Sequence, residues 1–264
     1  MRFTKMHGLG NDYLYVYGTV PSDVVSLCKR LSDRHFGAGS DGMIFIAPSD
    51  VADYSMRIFN ADGSEAEMCG NGIRCVGKYV YEKGLTRKTR LNIQTGAGVR
   101  ELVLHLGENG VEAVSVCMGQ AIVGAPATLH TEKGAVSCIP VSVGNPHAVV
   151  FIHKVDAVDL SNVGPLIERH EAFPAGVNVE FAEPIAAQTL RVRVWERGSG
   201  VTLACGTGAC ACAVAAVASG ICQACEPIRV LLDGGELQIR IDTDQMITMT
   251  GPAEFVYEGE TCPC

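Results

Sequence analysis

Positive charge is scarce in this 264-residue chain: 21 Lys and Arg stand against 29 Asp and Glu, a formal charge of −8. That deficit leaves no basic field to attract phosphate backbones, so no nucleic-acid partner is expected. Long apolar runs are missing as well. The longest small-apolar stretch, Ala209 to Ala218, falls well short of the roughly 18–20 residues that span a bilayer, and no membrane partner is expected either. The opening Met1-Arg-Phe-Thr-Lys-Met-His lacks the apolar core of a secretory signal, which points to the cytoplasm. No glycine-rich nucleotide fingerprint follows a clear strand, which argues against a dinucleotide role. Low-complexity tracts are absent apart from one alanine-rich segment. What remains is 47% hydrophobic and 19% charged, enough to bury a large core as one long domain or two of ordinary size.

Cysteine runs the other way, with twelve in the chain. In a reducing compartment most are expected to be free thiols. Cys28, Cys75, Cys117, Cys138, Cys210 and Cys212 read as small buried hydrophobes. Cys222-Gln-Ala-Cys225 and Cys262-Pro-Cys264 together offer four sulfurs, the number a tetrahedral metal site takes. The tail pair lacks the usual two-residue gap and no compact finger surrounds either pair, so no metal is expected.

Sliding the sequence against itself exposes an internal repeat at an offset of 136 residues. Cys69-Gly-Asn-Gly, followed by an apolar stretch to Gly84, lies over Cys205-Gly-Thr-Gly, followed by an apolar stretch to Gly220. Arg57-Ile-Phe-Asn60 lies over Arg193-Val-Trp-Glu196, and Phe45 with Pro48 over Phe181 with Pro184. Shifted by two residues, Gly10-Asn11 lies over Gly144-Asn145. Each half reads as several short strands, a Cys-Gly-x-Gly turn, one helix, then more strands. Apolar residues at 73, 76, 80 and 81 predict a helix over Ile73 to Lys83 closed by Gly84. Its partner, Ala209 to Ser219, is apolar all round and is expected to be buried on every side. Strand signals fall on Met56–Phe59, Leu91–Gln94, Leu102–Leu106, Leu190–Trp195, Ile228–Leu232, Leu237–Ile241 and Met246–Met249. The expected fold is α+β with two pseudo-symmetric domains, 1–118 with 252–264 and 119–251. Each is expected to be a mixed or antiparallel barrel-like sheet around a central helix, with the active-site cleft between them.

The first backbone N–H groups of a helix are unpaired and carry partial positive charge, so a Cys-Gly-x-Gly-helix unit is suited to bind anions and to lower a thiol pKa. One such unit is often only a buried turn. Two at equivalent places suggest a shared cleft where Cys69 and Cys205 face opposite sides of one carbon acid, each serving as acid or base. No metal and no cofactor is then required.

The sequence resembles diaminopimelate epimerases. The blocks that carry the likeness are Met6-His-Gly-Leu-Gly-Asn-Asp12, Asn60-Ala-Asp-Gly-Ser64, Met68-Cys-Gly-Asn-Gly72, Gly144-Asn-Pro-His147, Glu196-Arg-Gly-Ser-Gly200 and Ala204-Cys-Gly-Thr-Gly208. The resemblance implies interconversion of LL- and meso-2,6-diaminoheptanedioate without pyridoxal phosphate, on the route to lysine and peptidoglycan, by a homodimer. It implies that Cys69 and Cys205 are the acid/base thiols. Gly70, Asn71, Gly206 and Thr207 would meet the reacting carboxylate, while Asn60, Asn178 and Arg197 would hold the distal head. Asn11, Asn145 and Glu196 would complete the cleft, with His147 assisting near a thiol. Arg197 lies over Ala61 in the repeat, and its fork of donors suits a distal carboxylate. Some family members carry glutamine where this chain has Gly42. Two other readings stay open: a two-thiol racemase of proline, hydroxyproline or another single-headed amino acid, and a non-catalytic metal-binding or redox-buffering protein.

Overall fold

The computed structural model describes residues 1–261. Along the chain run β1 (Arg2–Gly8), β2 (Asn11–Tyr17), α1 (Val24–Ser32), β3 (Gly42–Pro48), β4 (Tyr54–Asn60), β5 (Glu65–Ala66), α2 (Gly70–Glu82), β6 (Arg90–Thr95), β7 (Gly98–Gly107) and β8 (Gly110–Gln120). There follow β9 (Ile122–Val123), β10 (Ala127–Thr131), β11 (Gly134–Ser142), β12 (Pro146–Phe151), α3 (Leu160–Glu168), β13 (Asn178–Ala186), β14 (Thr189–Glu196) and β15 (Gly200–Thr202). The chain closes with α4 (Gly206–Ala218), β16 (Ile228–Leu232), β17 (Gly235–Ile241), β18 (Met246–Gly251) and β19 (Glu254–Glu260). The structure is α+β, and its described residues divide into one unit of 1–116 with 251–261 and another of 117–250.

In the first unit the strands pair in the order β19-β1-β2-β3-β4-β6-β7-β8, with β5 added to β4. The pairs β2–β3 and β4–β6 are parallel; the others are antiparallel. The second unit repeats this as β10-β11-β12-β13-β14-β16-β17-β18, again with parallel pairs at β12–β13 and β14–β16. The strand beside β1 thus comes from the far end of the chain, whereas its counterpart beside β11 is the preceding strand.

Period-2 alternation assigns the two faces of the first sheet. Leu14 and Val16 of β2, with Met43 and Phe45 of β3, join Leu27, Cys28 and Leu31 of α1 in one apolar cluster. The other face of β2 turns to α2, where the Tyr15 hydroxyl donates to the Gly72 carbonyl at 3.3 Å. Helix α2 packs against β1, β2 and β7, while α4 packs against β11, β12, β13, β14, β16 and β17. Every residue of α4 from Gly208 to Ala216 is buried, as an all-apolar helix requires.

Two expectations need correction. Among the described residues each unit has two α-helices, not one: α1 and α3 were not foreseen, and they too obey the repeat (160 − 24 = 136). The apolar helices also start three residues earlier than their periodicity suggested, at Gly70 and Gly206, because each preceding cysteine is itself the N-cap. Among the cysteines read as core, Cys28, Cys75, Cys138, Cys210 and Cys212 are buried and Cys117 is only half-buried. Burial pushes the Cys28 and Cys75 thiols up to about 11. Cys222 is buried and Cys225 exposed, while Cys262 and Cys264 lie outside the described residues. Among the described residues no three His, Cys, Asp or Glu side chains gather as a metal site, and no helix is long and apolar enough to cross a membrane.

Gly42 opens β3 against β4. A Cβ there would lie 2.1 Å from the Phe59 carbonyl oxygen and 2.9 Å from Asn60 Cα, so a glutamine has no room on this backbone. Gly42→Ala is expected to cost about 2–4 kcal/mol from collision and strain, read as a lowered urea midpoint by circular dichroism. An unchanged midpoint would show that the β3–β4 pair relaxes around a methyl group.

Candidate active site

Each unit builds its chemistry on a cysteine-capped helix. Cys69 takes extended backbone angles (φ −138°, ψ 117°), and its sulfur accepts the Gly72 N–H at 3.3 Å. Cys205 repeats this (φ −113°, ψ 114°), accepting from Gly208 N at 3.4 Å. The sulfur does what a serine or aspartate oxygen does at an N-cap. The third residue is glycine in both turns for a steric reason: a Cβ on Gly72 would meet Ile44 Cδ1 at 2.7 Å, and one on Gly208 would meet Glu180 Oε1 at 2.5 Å.

In the first unit, β2 presents Asn11, Tyr13 and Tyr15 on the face that meets this helix end. The Cys69 thiol donates to Asn11 Oδ1 at 3.3 Å, and Asn11 Nδ2 donates to Asp41 Oδ2 at 2.8 Å. Asp41 is held in turn by Arg34, which also pairs with Asp12. The Tyr13 hydroxyl is pushed well above its ordinary range by burial and by the neighbouring Cys69 sulfur. Asn71 is buried, and its side chain accepts from Arg74 Nη2 at 3.0 Å. Arg74, wholly buried, also ties Gly70 O at 3.2 Å to Pro252 O at 3.1 Å, fastening the turn to the C-terminal segment. Asn60, at the end of β4, donates to Ser64 Oγ at 3.0 Å within its own turn.

In the second unit, Cys205 Sγ lies 3.5 Å from Thr207 Oγ1, which accepts from Asn145 Nδ2 at 3.3 Å. Asn145 Oδ1 is 3.0 Å from His147 Nε2, and His147 Nδ1 is 2.7 Å from Glu180 Oε1. Glu196 receives the Thr202 hydroxyl at 2.5 Å; burial pushes its carboxyl up against that bond. Asn178 is anchored by backbone, donating to Pro146 O at 3.0 Å and accepting from Arg197 N at 2.9 Å, which leaves one N–H and one lone pair. Glu168 pins the same turn through Gly198 N and the Trp195 indole. The exposed Arg197 guanidinium donates to Ala175 O at 2.9 Å, and among the described residues it has no carboxylate partner.

The structure therefore gathers Asn11, Cys69, Gly70 and Asn71 at one helix end, with Asn60 in a turn of its own. It gathers Asn145, His147, Glu196, Cys205, Gly206 and Thr207 at the other, with Asn178 and Arg197 on an adjoining turn. Tyr13, Asp41, Arg74, Glu168 and Glu180 were not anticipated. One expectation changes sign: the helix end was to lower the thiol pKa, yet Cys205 is pushed well above its ordinary value. Burial is the main cause, reinforced by Glu196 and Glu180, and it outweighs the Thr207 and Gly208 hydrogen bonds. Cys205 is accordingly a thiol at neutral pH.

The sequence profile of diaminopimelate epimerase matches residues 3–123 and 139–256. The chain belongs to the diaminopimelate epimerase family. It is 46% identical to the diaminopimelate epimerase of Acetivibrio thermocellus over 98% of both chains, and 48% identical to that of Methanococcus maripaludis over 98% of this chain and 99% of the other. Its fold is shared with a hydroxyproline epimerase from Agrobacterium vitis solved with bound trans-4-hydroxy-L-proline. There the TM-score is 0.75 at 19% identity, covering 98% of this chain and 91% of that one.

Because Glu196 contributes negative charge beside Cys205, Glu196→Gln in this diaminopimelate epimerase family member should lower the thiol's pKa. Alkylation of Cys205 by iodoacetamide, followed by peptide mass mapping across pH, is expected to be faster at a given pH in the variant while turnover falls. Slower or unchanged alkylation would remove Glu196 from the control of this sulfur.

Proposed function

We propose that this protein interconverts LL- and meso-2,6-diaminoheptanedioate by two-base proton transfer between Cys69 and Cys205. The observation that carries the reading is the pair of cysteine-capped helix ends in a chain of this family. In each turnover one sulfur enters as thiolate and takes the substrate α-proton, leaving the electron pair on a carbanion delocalised into the adjacent carboxylate. The other enters as thiol and gives its proton to the opposite face, so the two sulfurs exchange protonation states. The growing negative charge on the carboxylate would be met by the backbone amides of Gly70, Asn71, Gly206 and Thr207, and one such preorganised donor is typically worth about 10²–10³ in rate. In this reading Glu196, which neighbours the Cys205 thiol, accepts its proton and generates the thiolate.

In this reading residues 1–118 with 252–264 supply Asn11, Asn60 and Cys69, and 119–251 supply the remainder. Arg197, with donors uncommitted to any carboxylate, holds the distal carboxylate of the substrate; Asn60 and Asn178 complete that end. Asn11, Asn145 and His147 border the reacting centre. Lysine and peptidoglycan precursor synthesis in the cytoplasm by a homodimer belongs to the same proposal. None of the ten described cysteines is in a disulfide, which suits a reducing compartment. Light scattering of the purified protein checks the dimer.

With one base per face, product formed early in deuterated water is expected to carry solvent deuterium at the α-carbon while recovered substrate stays protiated, in both directions. Early product that retained the substrate's own α-proton would show a single base. Arg197→Met is expected to fold normally and to lose at least about a hundredfold in kcat/KM for diaminopimelate, since an unpaired desolvated carboxylate costs about 3–5 kcal/mol. Wild-type kinetics in the folded variant would take Arg197 out of the site. Proline and hydroxyproline, tested for α-proton exchange in the same assay, are expected to be inert.

A further inference from the structure

The two units place different chemistry at equivalent positions. At the offset of the repeat, Ile44 on β3 answers to Glu180 on β13, and both press on the glycine that caps the cysteine sulfur. At the shifted offset, Tyr13 answers to His147 and Asn11 to Asn145. The asparagines serve their sulfurs in opposite senses. Asp41 can only accept, so Asn11 turns Nδ2 to it and leaves Oδ1 to receive the Cys69 thiol hydrogen. Asn145 turns Oδ1 to the His147 ring and Nδ2 toward Thr207, whose hydroxyl hydrogen is then free for Cys205 Sγ.

The His147 ring is flanked by oxygen acceptors at both nitrogens, Glu180 Oε1 on one side and Asn145 Oδ1 on the other. Its side chain and that of Glu180 have no solvent exposure. Glu180 Oε2 has no hydrogen-bond partner. A carboxylate in that position is tenable only beside a compensating cation. We propose that Glu180 is a positioning residue that keeps His147 doubly protonated, so that the hydrogen-bond chain through Asn145 and Thr207 directs its donors at the Cys205 sulfur. Other titratable groups face the pair: Glu196 from β14, and Cys205 and Cys212 from α4. Across the sheet, His147 registers with Val141 of β11 and Asn178 of β13, neither of them ionisable. Glu180 is therefore the acceptor that holds the second ring proton. Its influence on turnover rests on the two-thiol reading above; its influence on the ring does not.

Nitrogen-15 NMR of the wild-type protein, labelled at histidine and assigned with a His147→Gln control, reads the ring directly. At neutral pH both His147 nitrogens are expected to show the protonated signature. In Glu180→Gln, which keeps the shape and an acceptor but removes the charge, one nitrogen is expected to lose its proton. The kcat of this variant is expected to fall at least about tenfold, less than the 10²–10⁴ of a direct acid–base group, with KM changed less than about twofold. A singly protonated wild-type ring would mean that the Asn145 amide is turned over, and it would overturn the proposal without any variant. An unchanged doubly protonated ring in Glu180→Gln, or a wild-type kcat in that variant once folded by circular dichroism, would overturn it as well. Failure of the wild-type protein to exchange the α-proton of diaminopimelate would instead strike the reading of its function and leave the His147 spectrum as the test of Glu180.

Discussion

The contact on which the site depends is a sulfur accepting a backbone N–H at the start of a helix. It fixes where α2 and α4 begin, and it aims each thiol outward from a buried helix. It also requires glycine two residues into the helix, where Ile44 or Glu180 leaves no space for a Cβ. As electrostatics the contact is modest. A helix N-terminus favours a negative charge by about 0.3–1 kcal/mol, rising to about 2 when partly buried. Withdrawing an ion from water costs several kcal/mol even after relaxation. At Cys205, 6% exposed and flanked by two carboxylates, burial wins and the proton stays. The cap orients the thiol; lowering its pKa needs added positive charge, which the ammonium group of an amino-acid substrate would bring.

Duplication supplies two such caps from one topology, and small departures from the repeat give them different characters. Cys69 has a tyrosine and an apolar wall, Tyr13 and Ile44; Cys205 has a histidine and a carboxylate, His147 and Glu180. A substrate that reacts at one α-carbon while its distal head stays bound would demand such differences. The guanidinium of Arg197, opposite Ala61 in the repeat, is the other large one.

Much of this was legible in the sequence. The strands over Ile228–Leu232 and the cysteine-led helices follow from alternation, apolar periodicity and flanking glycines. Helix α1 went unread because nine residues give barely two turns of pattern. Helix α3 went unread because Gly164 and Pro165 sit inside it and both count against a helix. Of the candidate site, the two cysteines and the residues of the matched blocks were named from the sequence, while Arg74, Asp41 and Glu168, which the structure sets beside them, were not. A charged residue in an otherwise apolar stretch reads as solvent-facing. Arg74 is instead wholly buried, its charge absorbed by two carbonyl oxygens and an amide oxygen. Glu180 alternates with Val179 and Phe181, so period 2 puts it on a solvent face, but β13 is covered on both faces. The repeat held the one available signal: a carboxylate lying over Ile44.

The same amide can therefore serve opposite ends, and its neighbours decide which. An asparagine side chain has one end that donates and one that accepts, and nothing intrinsic to it prefers either direction. Beside Asp41, an obligate acceptor, the donor end is spoken for and the sulfur meets an oxygen, which favours a thiol that keeps its hydrogen. Beside a ring N–H the oxygen is spoken for and the nitrogen faces Thr207, which frees a hydroxyl hydrogen for the sulfur and eases the rise in the Cys205 pKa without reversing it. In the proposed mechanism the two sulfurs exchange roles in every turnover, and surroundings that differ decide which gives up its proton more easily. A duplicated fold with asparagine at both positions gains that difference from the groups around each amide, Asp41 in one half and His147 with Thr207 in the other.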